Sequence, residues 1–191
     1  GPENDMCGIA GLVYHDSSKS CPAEVVNAMR DIVDYRGPDD AGTRIDGAMG
    51  MGHRRLSIID LGGGHQPMAD GAKKHWVVFN GEIYNYRDIR EWLISRGHSF
   101  QTHSDTEVIL ELYAEMGERC HDRFNGMFAF ALWDSDRRSL FLARDRMGVK
   151  PLYYADTGDA FVYGSEVKSL FASGLVTPES REDAIGEYLM F

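Results

Sequence analysis

MFAFALWD-SDRR-SLFLARD, residues 127–145, sets two apolar runs around four polar residues. Runs of this length around a short polar break predict a β-hairpin. A second pair follows at once, LYYAD (152–156) and AFVYG (160–164). Working backwards, HWVVFN (75–80) reads as a strand running straight into GEIYNY. CGIAGLVY (7–14) alternates with small residues as a first strand, and residues 42–61 are glycine-punctuated and β-like, ending in LSIIDL. The stretch 62–74, GGGHQPMADGAKK, reads as a loop. Strands come in hairpin clusters rather than in steady alternation with helices, which favours antiparallel sheets with segregated helices, an α+β class.

The helical segments fall between these clusters. Pro22 opens a pattern through Val25, Val26, Met29, Ile32 and Val33 that Gly37-Pro38 ends. Ile89, Trp92, Leu93 and Arg96 make a second helix closed by Gly97. SDTE (104–107) predicts a capping box, with Ser104 capping the helix of Val108, Leu112 and Tyr113 and Glu107 reaching back. Two more helical patterns lie near 165–173 and 181–191.

With 191 residues, 43% of them hydrophobic, the chain can bury a core as a single globular domain. A formal net charge of −10 argues against a nucleic-acid or anionic-membrane partner. The three cysteines, Cys7, Cys21 and Cys120, form no CxxC pair and are odd in number, so a reducing cytoplasm is the expected setting. No 18-residue apolar run is present. GPEND (1–5) carries no periodicity and reads as a remnant of a tag. Met6 then reads as the start, and residues 6–191 as one domain. The histidines show neither HExxH nor a Cys/His ligand spacing, so no metal site is expected.

Cys7 is the first candidate for chemistry. On an apolar strand a cysteine is commonly a small hydrophobe. Removal of Met6 would make it the first residue, carrying a thiol and a free amine whose reference pKa of about 7.7–8.0 suits a general base. One residue would then supply both nucleophile and base. NGEIYN (80–85) is either an Asn-Gly turn or an oxyanion hole in which the Asn80 amide and the Gly81 N–H aim at developing negative charge. HRRLSIID (53–60) puts two guanidinium groups before a strand. They are either solvated or able to grip a carboxylate bidentately. Asp105, in the first turn of its helix, either complements the dipole or joins Glu82 in holding an ammonium. Taken together, these groups describe a receptor for a zwitterionic amino acid with a thiol aimed at its side chain.

MCGIAG (6–11), RGPDD (36–40), HRRLSIID (53–60), NGEIYNY (80–86), HSDTE (103–107), GMFAFALWD (126–134) and RDRMGVKPLYY (144–154) occur in this order. The chain thereby resembles the glutaminase domain of class II glutamine amidotransferases, most closely that of glutamine-dependent asparagine synthetases. The resemblance implies a four-layer αββα sandwich of the N-terminal nucleophile hydrolase type. It implies that Cys7 attacks the amide of L-glutamine, that Asn80 and Gly81 form the oxyanion hole, and that Arg55 holds the substrate carboxylate. Backbone groups of Leu56, Ser57, Ile58 and Ile59 assist, and Glu82 and Asp105 receive the ammonium. It also implies no cofactor for this domain, ATP and Mg being needed only by a synthetase domain or partner subunit that has no counterpart in this sequence. With GPENDM attached, the Cys7 nitrogen is an amide, so this form is expected to be inactive. Two alternatives stand beside this: a non-catalytic glutamine-binding or scaffold module, and a hydrolase of some other amide.

Overall fold

The computed structural model describes residues 7–56 and 64–179. Their strands form two antiparallel sheets. The five-stranded sheet has the order β2-β3-β1-β9-β8, with β1 at Gly8–Tyr14, β2 at Asp40–Asp46, β3 at Met49–Arg55, β8 at Tyr153–Asp156 and β9 at Ala160–Gly164. The four-stranded sheet has the order β4-β5-β6-β7, with β4 at Met68–Ala69, β5 at His75–Ile83, β6 at Gly126–Asp134 and β7 at Ser139–Arg144. Four α-helices, α1 (Ala23–Asp31), α2 (Tyr86–Ser95), α3 (Asp105–Met116) and α4 (Val167–Ala172), and two 3-10 helices, at Asp34–Arg36 and Gly117–Arg123, complete the described part.

The period of two along each strand sorts side chains into three cores. On β6, Phe128, Phe130 and Leu132 join the core under α2 and α3. Their neighbours Ala129, Ala131 and Trp133 join a core between the two sheets, with Ile9, Met49, Met51, Val78 and Tyr163. On β1, Ala10 and Leu12 face the other way, towards Val26 and Met29 of α1 and Leu170 of α4. Helix, sheet, sheet and helix therefore stack as four layers, as anticipated. Strands buried on both faces read as nearly continuous apolar runs, which is why MFAFALWD looked so plainly like a strand.

The hairpin at 127–145 forms with Asp134 opposite Ser139, and β8 pairs with β9. Four expectations change. The loop at 62–74 contains the short strand β4, which the glycine content of the stretch obscured. Helix α1 stops at Asp31 rather than at Gly37-Pro38, because a 3-10 turn at Asp34–Arg36 takes over and carries Arg36 inward to 8% exposure. Ser104 does cap α3, accepting from the Thr106 N–H at 3.1 Å. Glu107, however, reaches past Ser104: its carboxylate accepts the N–H groups of Gln101 and Thr102, both at 2.7 Å, and the Thr102 hydroxyl. The chain folds back before the helix, and Glu107 ties down that fold-back. Finally, Arg54 and Arg55 are themselves the last two residues of β3, and residues 57–60 of the strand expected at LSIID lie outside the described residues. Their backbone pairs with Gly8 of β1 and Asp40 of β2. The helical pattern at 181–191 lies outside the described residues.

Candidate active site

Alternation that fills the inner core also aims the candidate residues. Ile9 and Val78 face the gap between the sheets, so Cys7, two residues before Ile9, and Asn80, two after Val78, belong to the same inward faces. Met49 and Met51 share that gap, and the same period carries it along β3 to His53 and Arg55. Cys7, Arg55 and Asn80 therefore collect at one end of the sandwich. His53 fastens the two sheets there, its Nε2 3.1 Å from the Phe79 carbonyl oxygen. At 1% exposure it is a neutral imidazole, its pKa pushed down by burial to about 4.

Cys7 is half-buried at the head of β1. Burial pushes its thiol above the ordinary value, opposed by the Leu56 N–H and by the charges of Arg55 and Lys150. At neutral pH the sulfur is thus mainly a thiol, and nucleophilic attack needs a base to take its proton. The strand behind it is fixed: Ile9 donates to the Ser165 hydroxyl at 3.0 Å and accepts from the Ser165 N–H at 2.8 Å.

RGPDD shapes the Arg55 end of the site. Asp39 donates its N–H to the Arg55 carbonyl at 3.1 Å, and Pro38 bridges to the same residue. The crossing is tight, since a Cβ on Gly37 would lie 2.6 Å from the Arg54 carbonyl carbon and the Arg55 nitrogen. The Arg55 guanidinium lies against Gly64. Leu56 is half-buried beside the thiol, while Ser57, Ile58 and Ile59 lie outside the described residues.

Asn80 and Gly81 are inside β5, paired with Ala129 and Phe128 of β6, so the Asn-Gly turn does not form. Asn80 is 1% exposed, and its Nδ2 has no hydrogen-bond partner among the described residues. A buried unpaired donor costs about 1–3 kcal/mol, and such a group calls for an explanation. Gly81 has φ +153°, and a Cβ there would meet the Met127 carbonyl oxygen at 2.2 Å. Only glycine fits this twist of the strand. Glu82 is exposed one residue further on. Across from it, Asp105 accepts the Ile83 N–H at 3.1 Å. Burial raises its carboxyl pKa against backbone hydrogen bonds from Ile83, Thr106 and its own N–H, and the charge of Glu82 adds to the rise. Two acids held this way favour a cation between them.

Three residues to which no role was assigned from sequence join the site. Arg36, in RGPDD, donates from Nε to the Cys7 carbonyl at 3.3 Å and from Nη1 to Glu166 at 2.8 Å. Lys150, in RDRMGVKPLYY, is only 8% exposed. Burial and the charge of Arg36 lower its pKa, while Cys7, Asp145 and Glu82 act in the opposite sense. Its turn is built on Asp145, whose carboxylate accepts the N–H groups of Phe128, Val149 and Lys150. Motif membership was the available signal for Arg36 and Lys150. Glu166 had none. Among the described residues no group of three or more His, Cys, Asp or Glu could hold a metal ion.

The family described as "Glutamine amidotransferase domain" matches residues 6–191. Among curated proteins, the chain is 44% identical over 169 residues to asparagine synthetase [glutamine-hydrolyzing] 3 of Bacillus subtilis, covering 87% of this chain and 28% of that protein. It is 39% identical over 188 residues to asparagine synthetase [glutamine-hydrolyzing] 1 of the same organism, covering 97% of this chain and 30% of the relative. The chain thus spans less than a third of the length of these relatives. A solved structure of glutamine phosphoribosylpyrophosphate amidotransferase from B. subtilis superposes with a TM-score of 0.72 at 20% identity, over 88% of this chain and 44% of that one. That likeness concerns the fold alone.

Proposed function

The chain belongs to the family of glutamine amidotransferase domains, and on that premise we propose that it hydrolyses the side-chain amide of L-glutamine with Cys7 as nucleophile. The supporting observation is the buried, unpartnered Asn80 Nδ2 beside the twisted Gly81, facing the gap that also holds the thiol. Two donors so placed suit a tetrahedral oxyanion. The Cys7 amine takes the thiol proton, and the sulfur attacks the amide carbon. The departing nitrogen takes that proton and leaves as ammonia. Water then resolves the γ-glutamyl thioester to glutamate. Arg55 grips the α-carboxylate, with Leu56 and the residues after it assisting, while Glu82 and Asp105 hold the α-ammonium.

Residues 6–191 form the glutaminase unit in this reading, and the ammonia goes to an ATP-dependent synthetase domain or subunit. The names of the relatives support that partner, since they are glutamine-hydrolysing synthetases more than three times as long as the matched region. ATP and Mg would serve that partner, and this domain needs no cofactor of its own. Free thiols at Cys7, Cys21 and Cys120 accord with a cytoplasmic setting. No described helix is long and apolar enough to cross a membrane.

Because the base is the amine, residues 1–6 silence the chain as it stands. The test is glutamate release. The chain beginning at Cys7 turns glutamine over, whereas the 191-residue form and Cys7→Ala do not. Equal silence of the trimmed form and Cys7→Ala would favour a non-catalytic glutamine-binding module. Equal activity with and without the leader would refute the amine as base.

A further inference from the structure

We propose that Glu166 is a positioning residue for Cys7, acting through Arg36 to hold the carbonyl of the nucleophile's own residue in place. The inference rests on the reading of Cys7 as nucleophile and adds a brace to it.

The β1 ladder begins at Gly8, paired with Arg54, so Cys7 lies beyond the last strand pairing. A first residue outside the ladder frays unless something ties it down. Two devices do so. Ser165 holds Ile9 through both of that residue's backbone groups. Arg36 supplies the remaining bond, from its Nε to the Cys7 carbonyl. Arg36 hangs in turn on Glu166, by the 2.8 Å ion pair from Nη1.

Glu166 stands at the N-cap of α4, yet its side chain makes no capping hydrogen bond. The carboxylate turns to Arg36, to the Tyr35 hydroxyl and to Lys168 Nζ at 3.4 Å. The Arg36 and Glu166 side chains are 9% and 24% accessible, so water screens the pair poorly. Because the guanidinium fork is planar and pre-organised, its bonds to Cys7 and Glu166 together fix a long side chain in one geometry. With Glu166 gone, the guanidinium loses its anchor and its bond to the Cys7 carbonyl loosens. The substrate-holding groups Arg55, Glu82 and Asp105 are left untouched.

The experiment compares wild type, Glu166→Gln, Arg36→Gln and the double variant. Kinetics use the chain beginning at Cys7. Iodoacetamide labelling, resolved by peptide, uses the 191-residue chain. In Glu166→Gln, kcat for glutamine falls roughly 10- to 100-fold with KM unchanged, as for a nucleophile displaced by about an ångström. Cys7 is alkylated severalfold faster because its end of the strand is loosened, while the buried Cys21 and Cys120 stay as protected as in wild type. The double variant is no slower than Arg36→Gln alone, since both substitutions break one chain of contacts. If Glu166→Gln does not fold, Glu166→Asp, which withdraws the carboxylate by one methylene, shows the same kcat-only loss on a smaller scale. Wild-type kcat and labelling in the variant that folds, additive losses in the double variant, or faster labelling of all three cysteines would each overturn the brace. If wild type releases no glutamate, the proposed activity fails by itself, and the labelling pattern still decides for or against the brace.

Discussion

Asn80 combines two properties that normally exclude each other, near-complete burial and an amide donor with no described acceptor. A ligand oxygen resolves that conflict. Asn80→Ala is accordingly expected to lower kcat for glutamine by about 10²–10³-fold while the fold persists, read from steady-state glutamate release. Asp105 shows the opposite economy. Burial raises its pKa, so ionising it at neutral pH works against the fold. A carboxyl whose folded pKa is raised contributes stability that is fully present below the unfolded value of 3.8 and lost as pH rises through the folded value. Asp105→Asn removes that loss. The variant should melt at a higher temperature than wild type at pH 7, with the gap closing towards pH 3.8, and should bind glutamine more weakly because a neutral amide no longer attracts the ammonium. A lower melting temperature at pH 7 would contradict the sign.

Helix α3 carries the clearest division of labour at the level of an element. Ser104 satisfies one N–H of its first turn, and losing such a cap costs about 1 kcal/mol. Glu107 is 6% exposed and satisfies two backbone N–H groups and a hydroxyl of the preceding segment. Glu107→Ala leaves those donors unpaired and should cost about 2–4 kcal/mol in urea denaturation, well above Ser104→Ala. The ranking separates a fold-back tie from a capping box, in which the two losses would be similar. The helix start at Ser104 was legible because a cap is a local device. The partner of Glu107 was not, since it depends on where residues 101 and 102 turn back. A similar limit applied to Arg54 and Arg55. Their motif was visible, but that they belong to β3 is decided by pairing with Gly8 and Asp40, which are remote in sequence.

Two histidines contribute opposite pH dependences from different layers of the molecule. His53, between the sheets, has its pKa pushed down by burial to about 4 from 6.5. The unfolded chain takes up that proton first, so stability falls as pH drops from 6.5 to 4, by about 1.4 kcal/mol per pH unit. His98 sits between α2 and α3, with Nδ1 2.7 Å from Glu111 and Nε2 3.1 Å from Glu115. The hydrogen bond to Glu111 raises its pKa, with Glu115 adding to it against burial. Its contribution is fully present below pH 6.5 and is lost as pH rises through the folded value. Urea-derived stability plotted against pH should fall less steeply between pH 6.5 and 4 in His53→Gln and lose part of its alkaline-side decline in His98→Gln. Parallel curves for wild type and either variant would show that the histidine concerned does not govern that limb.

Sequence alone determined the α+β class, the hairpins and the candidate set around Cys7, because strand period, turn chemistry and motif order are written in neighbouring residues. Only the tertiary structure decided that Asn80-Gly81 is twisted strand and not turn, and that alternation aims Cys7, Arg55 and Asn80 into one gap. It also decided that Glu166, unremarkable in its own segment, holds the arginine that holds Cys7. Burial, an unpaired donor and a relayed ion pair are properties of residues brought together from distant parts of the chain, and no local pattern encodes them.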